Sequence, residues 1–293
     1  MTRRELIGAV VTGAAATVMP SVGGAQRPGA EKPRFRLGTV TYNIARDWDL
    51  PTLIAHCRAS GFQGVELRTT HRHGVEPDIS KEHRREVRQH FADAGVTLWG
   101  LGTVCEFHSP DAAQVAQNVE ACRRWCALAA DVGATGVKVR PNALPPGEPV
   151  EKTVERIAQA LRICGQAARD HGVEIWLEVH GTGTAHPPVI RDILAQCAHP
   201  QVGVCWNSNP QDVLDGSVRT YFDLLRPYLK SCHINDLWND RYPYRELFAL
   251  LHATGYDRFT LCEVGRSICP ESGVPFMQCY RGLWQELQRI PAV

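Results

Sequence analysis

The chain has 293 residues, 44% of them hydrophobic and 22% charged, which is ordinary globular usage and excludes disordered, collagen-like and coiled-coil classes. Lys and Arg number 32 against 31 Asp and Glu, a net charge of +1, so there is no basic excess to meet a nucleic-acid backbone. The length is enough for a large single core.

Residues 1–26 read as an export signal. Arg3 and Arg4 precede an uncharged Ala/Val/Gly-rich run from Ile7 to Met19. That run is short of the about 20 residues that cross a bilayer. Gly23, Gly24 and Ala25 suit a signal-peptidase site before Gln26. The arginine pair makes the segment resemble a twin-arginine signal, so the mature protein is expected in the periplasm and off the membrane. Residues 27–34 read as a short linker and 35–293 as the folded domain. The 11 cysteines are an odd number without a C-x-x-C pair, so neither a complete disulfide framework nor a structural zinc is expected. Most read as small buried hydrophobes.

From Phe35 onward short β-type runs alternate with amphipathic helical stretches. The runs are Arg36–Tyr42, Gly64–Arg68, Val96–Leu101, Gly136–Arg140, Val173–Val179, Val202–Trp206, Lys230–Ile234 and Arg258–Val264. Helical patterns such as Asp111–Val132 and Val150–His171 lie between them. Gly61, Gly95, Gly133 and Gly172 each stand just before an apolar residue, as helix stops do ahead of buried strands. Alternating strands and helices imply a parallel sheet. Eight units over about 250 residues imply an α/β fold of the (β/α)₈ TIM-barrel type. An open doubly wound sheet is the alternative, but Gly38-Thr39-Val40-Thr41 replaces the Gly-rich turn that it needs after the first strand.

In such a barrel the chemistry lies at the C-terminal strand ends. The second strand ends at Glu66-Leu67-Arg68. The fifth to eighth end with Glu178, Asn207, His233 and Glu263, spaced by 29, 26 and 30 residues, one strand–helix unit each. Any one of these alone is ordinary: a Glu reaches solvent, a His bonds within the core, an Asn caps a helix. Four in succession put one oxygen or nitrogen ligand from each strand at one height on the rim. The set suits Mn²⁺, Mg²⁺, Co²⁺ or Zn²⁺, one ion per chain.

These residues, with Phe62-Gln63-Gly64-Val65-Glu66-Leu67, Leu177-Glu178-Val179-His180, Trp206-Asn207, His233-Ile234-Asn235-Asp236 and Leu261-Cys262-Glu263-Val264, resemble the sugar phosphate isomerase/epimerase superfamily. That superfamily has a xylose-isomerase-like barrel and includes ketose 3-epimerases, hydroxypyruvate isomerases and inosose dehydratases. The resemblance implies that Glu178, Asn207, His233 and Glu263 hold the metal, and that Glu178 and Glu263 are also the acid/base pair. The chain departs from the pattern at Asn207, where aspartate is usual, and at Pro210, where many relatives have a histidine. Relatives form dimers or tetramers, so the resemblance extends to a homo-oligomer.

The implied reaction removes a proton α to a carbonyl, which requires stabilising the enediolate oxygen and a base and an acid at the carbon. Glu66, Arg140, Asn142, His180, His71, His108 and Arg266 are the candidate substrate contacts. Arg140 and Lys138 share one face by period-2 alternation. Trp238 and Tyr242 are candidates to stack on a sugar, whereas alternation turns Trp206 outward.

The expected substrate is a non-phosphorylated sugar or keto-sugar, because Gly265-Arg266-Ser267 after the last strand is no Gly-rich phosphate cradle. A metal-dependent lyase or hydrolase on oxidised sugars or keto-glycosides fits the same residues, as does a non-catalytic sugar-binding barrel that has lost its metal at Asn207. A three-zinc phosphodiesterase does not fit, since Asn207-Ser208-Asn209-Pro210 and His233-Ile234-Asn235-Asp236 lack the required histidines.

Overall fold

The computed structural model describes residues 35–289; the export segment and linker expected over 1–34 lie outside the described residues. Eight parallel strands close into a barrel in sequence order, with β1 paired to both β2 and β8. The strands are β1 Arg36–Val40, β2 Gly64–Arg68, β3 Thr97–Glu106, β4 Gly136–Arg140, β5 Glu174–Glu178, β6 Val202–Asn207, β7 Leu229–Ile234 and β8 Phe259–Cys262. The helices are α1 Leu50–Ser60, α2 Lys81–Ala94, α3 Ala112–Val132, α4 Val150–His171, α5 Pro187–Cys197, α6 Arg219–Leu225, α7 Tyr244–Ala253 and α8 Pro270–Leu287. This is the expected TIM barrel. None of these helices is long and apolar enough to cross a membrane.

Local chemistry sets the helix limits. Asp49, Ser80 and Asp111 cap α1, α2 and α3 by accepting from Thr52, His83 and Ala113 backbone N–H groups. The four expected stops, Gly61, Gly95, Gly133 and Gly172, all adopt left-handed φ between +65° and +78°, where a Cβ would be strained.

The barrel interior is filled from a few large rings. Val40, Trp99, Trp176, Cys205, Phe259 and Leu261 form an inner cluster, with Trp99 and Trp176 stacked at 5.0 Å. Glycines on neighbouring strands make the space. A methyl group at Gly100 or Gly136 would come within 2.5 Å of the Trp176 ring, and one at Gly64 would enter the Phe259 ring. The larger apolar cluster lies between the strands and the helical shell, where Trp206 packs edge-on against Phe222.

β3 differs from expectation. It runs to Glu106 instead of ending at Leu101, so Glu106 closes a strand and does not belong to the following loop. Gly100 and Gly102 interrupt its apolar pattern and make it look finished. Its register against β4 shifts between Gly102 and Glu106, which sets Glu106 opposite Arg140.

All 11 cysteines are free thiols; nine are buried, and Cys269 and Cys279 are exposed.

Candidate metal centre and substrate pocket

Two layers of polar side chains rise from the inner barrel face, because residues two apart on a strand point the same way. Glu66, Lys138 and Glu178 form the lower layer; Arg68, Arg140 and His180 stand two residues further along the same strands. Glu178 is nearly sealed from solvent. Lys138 Nζ donates to its Oε2 at 2.6 Å, and Asn207 Nδ2 donates to its Oε1 at 3.0 Å. Burial alone would raise the Glu178 pKa, but the Lys138 ammonium and the His233 ring outweigh it and hold the carboxyl at about 2.

Adjacent register on β6 and β7 pairs Asn207 with His233. His233 is completely buried, and its Nε2 donates to Glu66 Oε2 at 3.2 Å. Its Nδ1 faces the other carboxylates, 3.2 Å from Glu263 Oε2 and 3.8 Å from Glu178 Oε1. Neither contact has hydrogen-bond geometry, so Nδ1 remains buried and without a hydrogen-bond partner among the described residues, as does Asn207 Oδ1. Burial opposes protonation of His233, yet Cys205, Glu263 and Glu66 around it hold its pKa well above the ordinary imidazole value. Glu178, His233 and Glu263 each offer a ligand atom within 4.8 Å of the others, an arrangement able to hold a metal ion. A buried amide oxygen and an imidazole nitrogen, freed when an incoming ion displaces its proton, stand beside two carboxylates as the donors that such an ion would use.

Above this cluster opens a cavity of about 470 Å³. It is lined by the basic Arg68, Lys138 and Arg140 and by the acidic Glu178, Asp236 and Glu263. His180 also lines it. Arg140 is ion-paired to Glu106, whose second oxygen accepts from Asn142 Nδ2 at 2.8 Å.

The expected substrate residues are therefore placed unequally. Arg140 and His180 face the cavity. Asn142 stands one step back, holding Glu106. Glu66 is fully buried behind His233, away from the cavity, because the paired imidazole takes up its Oε2 and Gly102 packs against its Oε1. His71 lies behind Tyr42, stacked at 6.3 Å, with Nδ1 bonded to Thr41 Oγ1 at 2.9 Å. His108 and Arg266 do not line the cavity; Arg266 is exposed and close to Asp236. Tyr242 is buried with its hydroxyl between Trp206 Nε1 and Asp212 Oδ2, so its ring is unavailable to a sugar. Trp238 is half exposed and meets Phe276 and Tyr280 edge-on.

Sequence reasoning missed Tyr42, Arg68 and Lys138 as site residues. For the last two the signal was present: each shares an inward face with a neighbour two residues away. Tyr42 ends the first expected β-type run, at the rim where the chemistry lies, although β1 itself stops at Val40 and Tyr42 falls in the turn that follows.

Residues 54–275 match the profile of the family described as xylose isomerase-like TIM barrel. Among solved structures, L-ribulose 3-epimerase superposes with a TM-score of 0.73 at 16% identity, covering 87% of this chain and 94% of that one. The 3-keto-D-glucoside 4-epimerase of E. coli gives 0.69 at 16% identity, covering 87% and 100%. The IOLI protein with a bound zinc atom gives 0.72 at 14% identity, covering 87% and 98%. At such identities the likeness is one of fold. By sequence the chain matches no curated protein. The profile match spans most of the barrel, and the chain belongs to the xylose isomerase-like TIM barrel family.

Proposed function

We propose that the chain is a divalent-metal-dependent isomerase or epimerase that acts on a non-phosphorylated sugar or keto-sugar by removing a proton α to a carbonyl. The observation that carries this reading is the convergence of Glu178, His233 and Glu263, with Asn207 Oδ1 and His233 Nδ1 buried and unpartnered beside them. Two carboxylates, an amide oxygen and an imidazole fit Mn²⁺, Mg²⁺, Co²⁺ or Zn²⁺. Bound there, the ion would supply Lewis-acid stabilisation of the oxyanion that forms as the proton leaves. The chain's own residues do the rest. Glu66 holds the His233 ring in one tautomer and one orientation. Lys138 and Asn207 fix the Glu178 carboxylate from opposite sides. Glu263, more exposed than Glu178 and without a clasping ammonium, is placed to take the substrate proton. The sugar-directed epimerases among the structural neighbours are in keeping with this reading.

In an epimerase Glu178 and Glu263 would exchange acid and base roles on opposite faces of the carbon. The Lys138 clasp makes them unequal, because a carboxylate held by an ammonium is a poor proton donor. That inequality supports a second reading, a lyase on oxidised sugars or keto-glycosides, in which one base suffices and a substituent departs.

The test is elemental mass spectrometry of wild type and His233→Ala, followed by incubation of the wild type with ketoses and keto-glycosides in D₂O. About one divalent ion per chain, absent from the variant, and deuterium entering the carbon next to the carbonyl are expected. NMR of the product separates epimer from elimination product. No ion after supplementation with Mn²⁺, Mg²⁺, Co²⁺ and Zn²⁺ would overturn the reading. Export through residues 1–26 to the periplasm belongs to the same proposal, and cell fractionation tests it.

A further inference from the structure

Arg68, Lys138 and Arg140 line the cavity, and the last two are neutralised within the protein. Lys138 is taken by Glu178 and Arg140 by Glu106. Arg68 is different. Among the described residues it forms no ion pair, and its guanidinium makes hydrogen bonds only from Nη1, to Thr69 O at 2.8 Å and Thr70 Oγ1 at 2.9 Å, both neutral. Nε and Nη2, which together form one edge of the planar fork, carry no hydrogen bond to protein. Glu76, the acid of the same loop, is spent elsewhere. Its oxygens accept from Thr69 Oγ1 at 2.8 and 3.0 Å and from Thr70 N at 2.6 Å, so it shapes the loop without pairing with Arg68.

The residue is also held in place before any ligand arrives. Thr41 Oγ1 accepts from Arg68 N at 2.9 Å, and His73 Nε2 donates to Arg68 O at 2.8 Å. The Tyr42 ring covers the guanidinium at 5.7 Å and is backed in turn by His71. Burial and the neighbouring Arg140 charge both act against the Arg68 cation. A half-buried guanidinium that is rigid, unpaired and beside a like charge lacks an anion, and the cavity is where one can enter.

We propose that Arg68 anchors a carboxylate group of the substrate, which makes the substrate a sugar acid such as a hexuronate or its keto form. This rests on the sugar-directed reading above and adds the charge class. A free Nε/Nη2 edge matches the two oxygens of a carboxylate in a bidentate pair. A phosphate ester brings more charge and more acceptors than this single edge serves.

The experiment is calorimetric titration of metal-supplemented protein with matched pairs: D-glucuronate and D-glucose, D-galacturonate and D-galactose, D-fructuronate and D-fructose, with D-glucose 6-phosphate and D-fructose 6-phosphate alongside. At least one acid is expected to bind about tenfold or more tightly than its neutral partner, and Arg68→Gln to cut that preference below about threefold. Arg68→Lys keeps the charge without the fork and is expected to lose most of the preference as well, which covers the case in which Arg68→Gln fails to fold. The proposal is overturned if no acid outbinds its neutral partner, if the preference survives both variants, or if a hexose phosphate binds more tightly than every acid. Metal content of the same samples keeps the two readings apart. Arg68 is no ligand, so its variants retain the ion, and a wild type without metal would sink the isomerase reading while the acid preference is still read.

Discussion

Lys138 Nζ lies 2.6 Å from Glu178 Oε2 inside the barrel, with the two side chains only 7% and 3% exposed. One carboxylate thus serves two sides, giving Oε2 to the lysine and leaving Oε1 toward Asn207 and His233. Removing one partner of such a pair strands a buried charge, whereas removing both does not. In chelated protein, Lys138→Met is expected to cost about 3 kcal/mol of unfolding free energy, and Lys138→Met/Glu178→Gln clearly less than the sum of the two single changes. Urea denaturation of the four proteins measures the coupling. Additive losses would show that the ion pair contributes nothing of its own.

Asn207 stands where the resemblance implies an aspartate, and its amide donates to Glu178. Asn207→Asp replaces that donor with a second negative charge 3 Å or so from Glu178, which costs stability unless a cation sits between them. The variant is expected to melt below wild type when chelated and to gain more than wild type from added Mn²⁺ or Zn²⁺, with affinity for the ion raised about tenfold. Thermal melts with and without metal check this. An unchanged gap between the two conditions would mean that position 207 does not face the ion.

Glu66 reaches no cavity, but it fixes His233 through Nε2 and so directs Nδ1 at Glu178 and Glu263. Glu66→Gln can still meet the ring, but with a weaker acceptor or the wrong group. Metal affinity is expected to fall about 10- to 100-fold while the fold is kept, the range typical of outer partners of ligating histidines. Competition titration against a chromophoric chelator reads the loss.

His73 should impose a pH dependence on stability. Its Nε2 donates to Arg68 O, and its Nδ1 accepts from Val75 N at 3.1 Å, so the folded ring is neutral and adding a proton breaks the second bond. Burial depresses its pKa from 6.5 to about 4, outweighing the Arg68 carbonyl that favours the cation. Burial and the Arg68 charge do the same to His71, also to about 4. Below 6.5 the unfolded chain binds protons that the folded chain refuses, so this stability is complete above 6.5 and lost as pH falls toward 4. Glu174 acts lower down: burial would raise its pKa, but Arg258, Trp176 and Lys230 hold it at about 2 against an ordinary 4.5, and its contribution fades between those values. Unfolding midpoints from pH 8 to 3 are expected to fall in two stages in wild type, the first of them shallower in His73→Gln.

The order of strands and helices, the helix stops and the four strand-end residues Glu178, Asn207, His233 and Glu263 were all readable in the chain. Each depends on local rules: period-2 alternation, left-handed glycine at a helix end, and the regular length of a β/α unit. The full length of β3 was not, because Gly100 and Gly102 break the apolar pattern for a reason that lies on other strands. Gly100 makes room for Trp176 on β5, and Gly102 lies against Glu66 on β2.

The division within the site has the same origin. Sequence alone determined which strand ends bear Glu178, Asn207, His233 and Glu263, since a residue's place along a strand sets its height and face. Only the closed barrel decided their partners. It put Glu66 behind His233, 167 positions away, gave Lys138 to Glu178 and Arg140 to Glu106, and left Arg68 with no ion pair among the described residues. Charge pairing of this kind depends on distances of a few ångströms between strands far apart in the chain, and no local pattern encodes it.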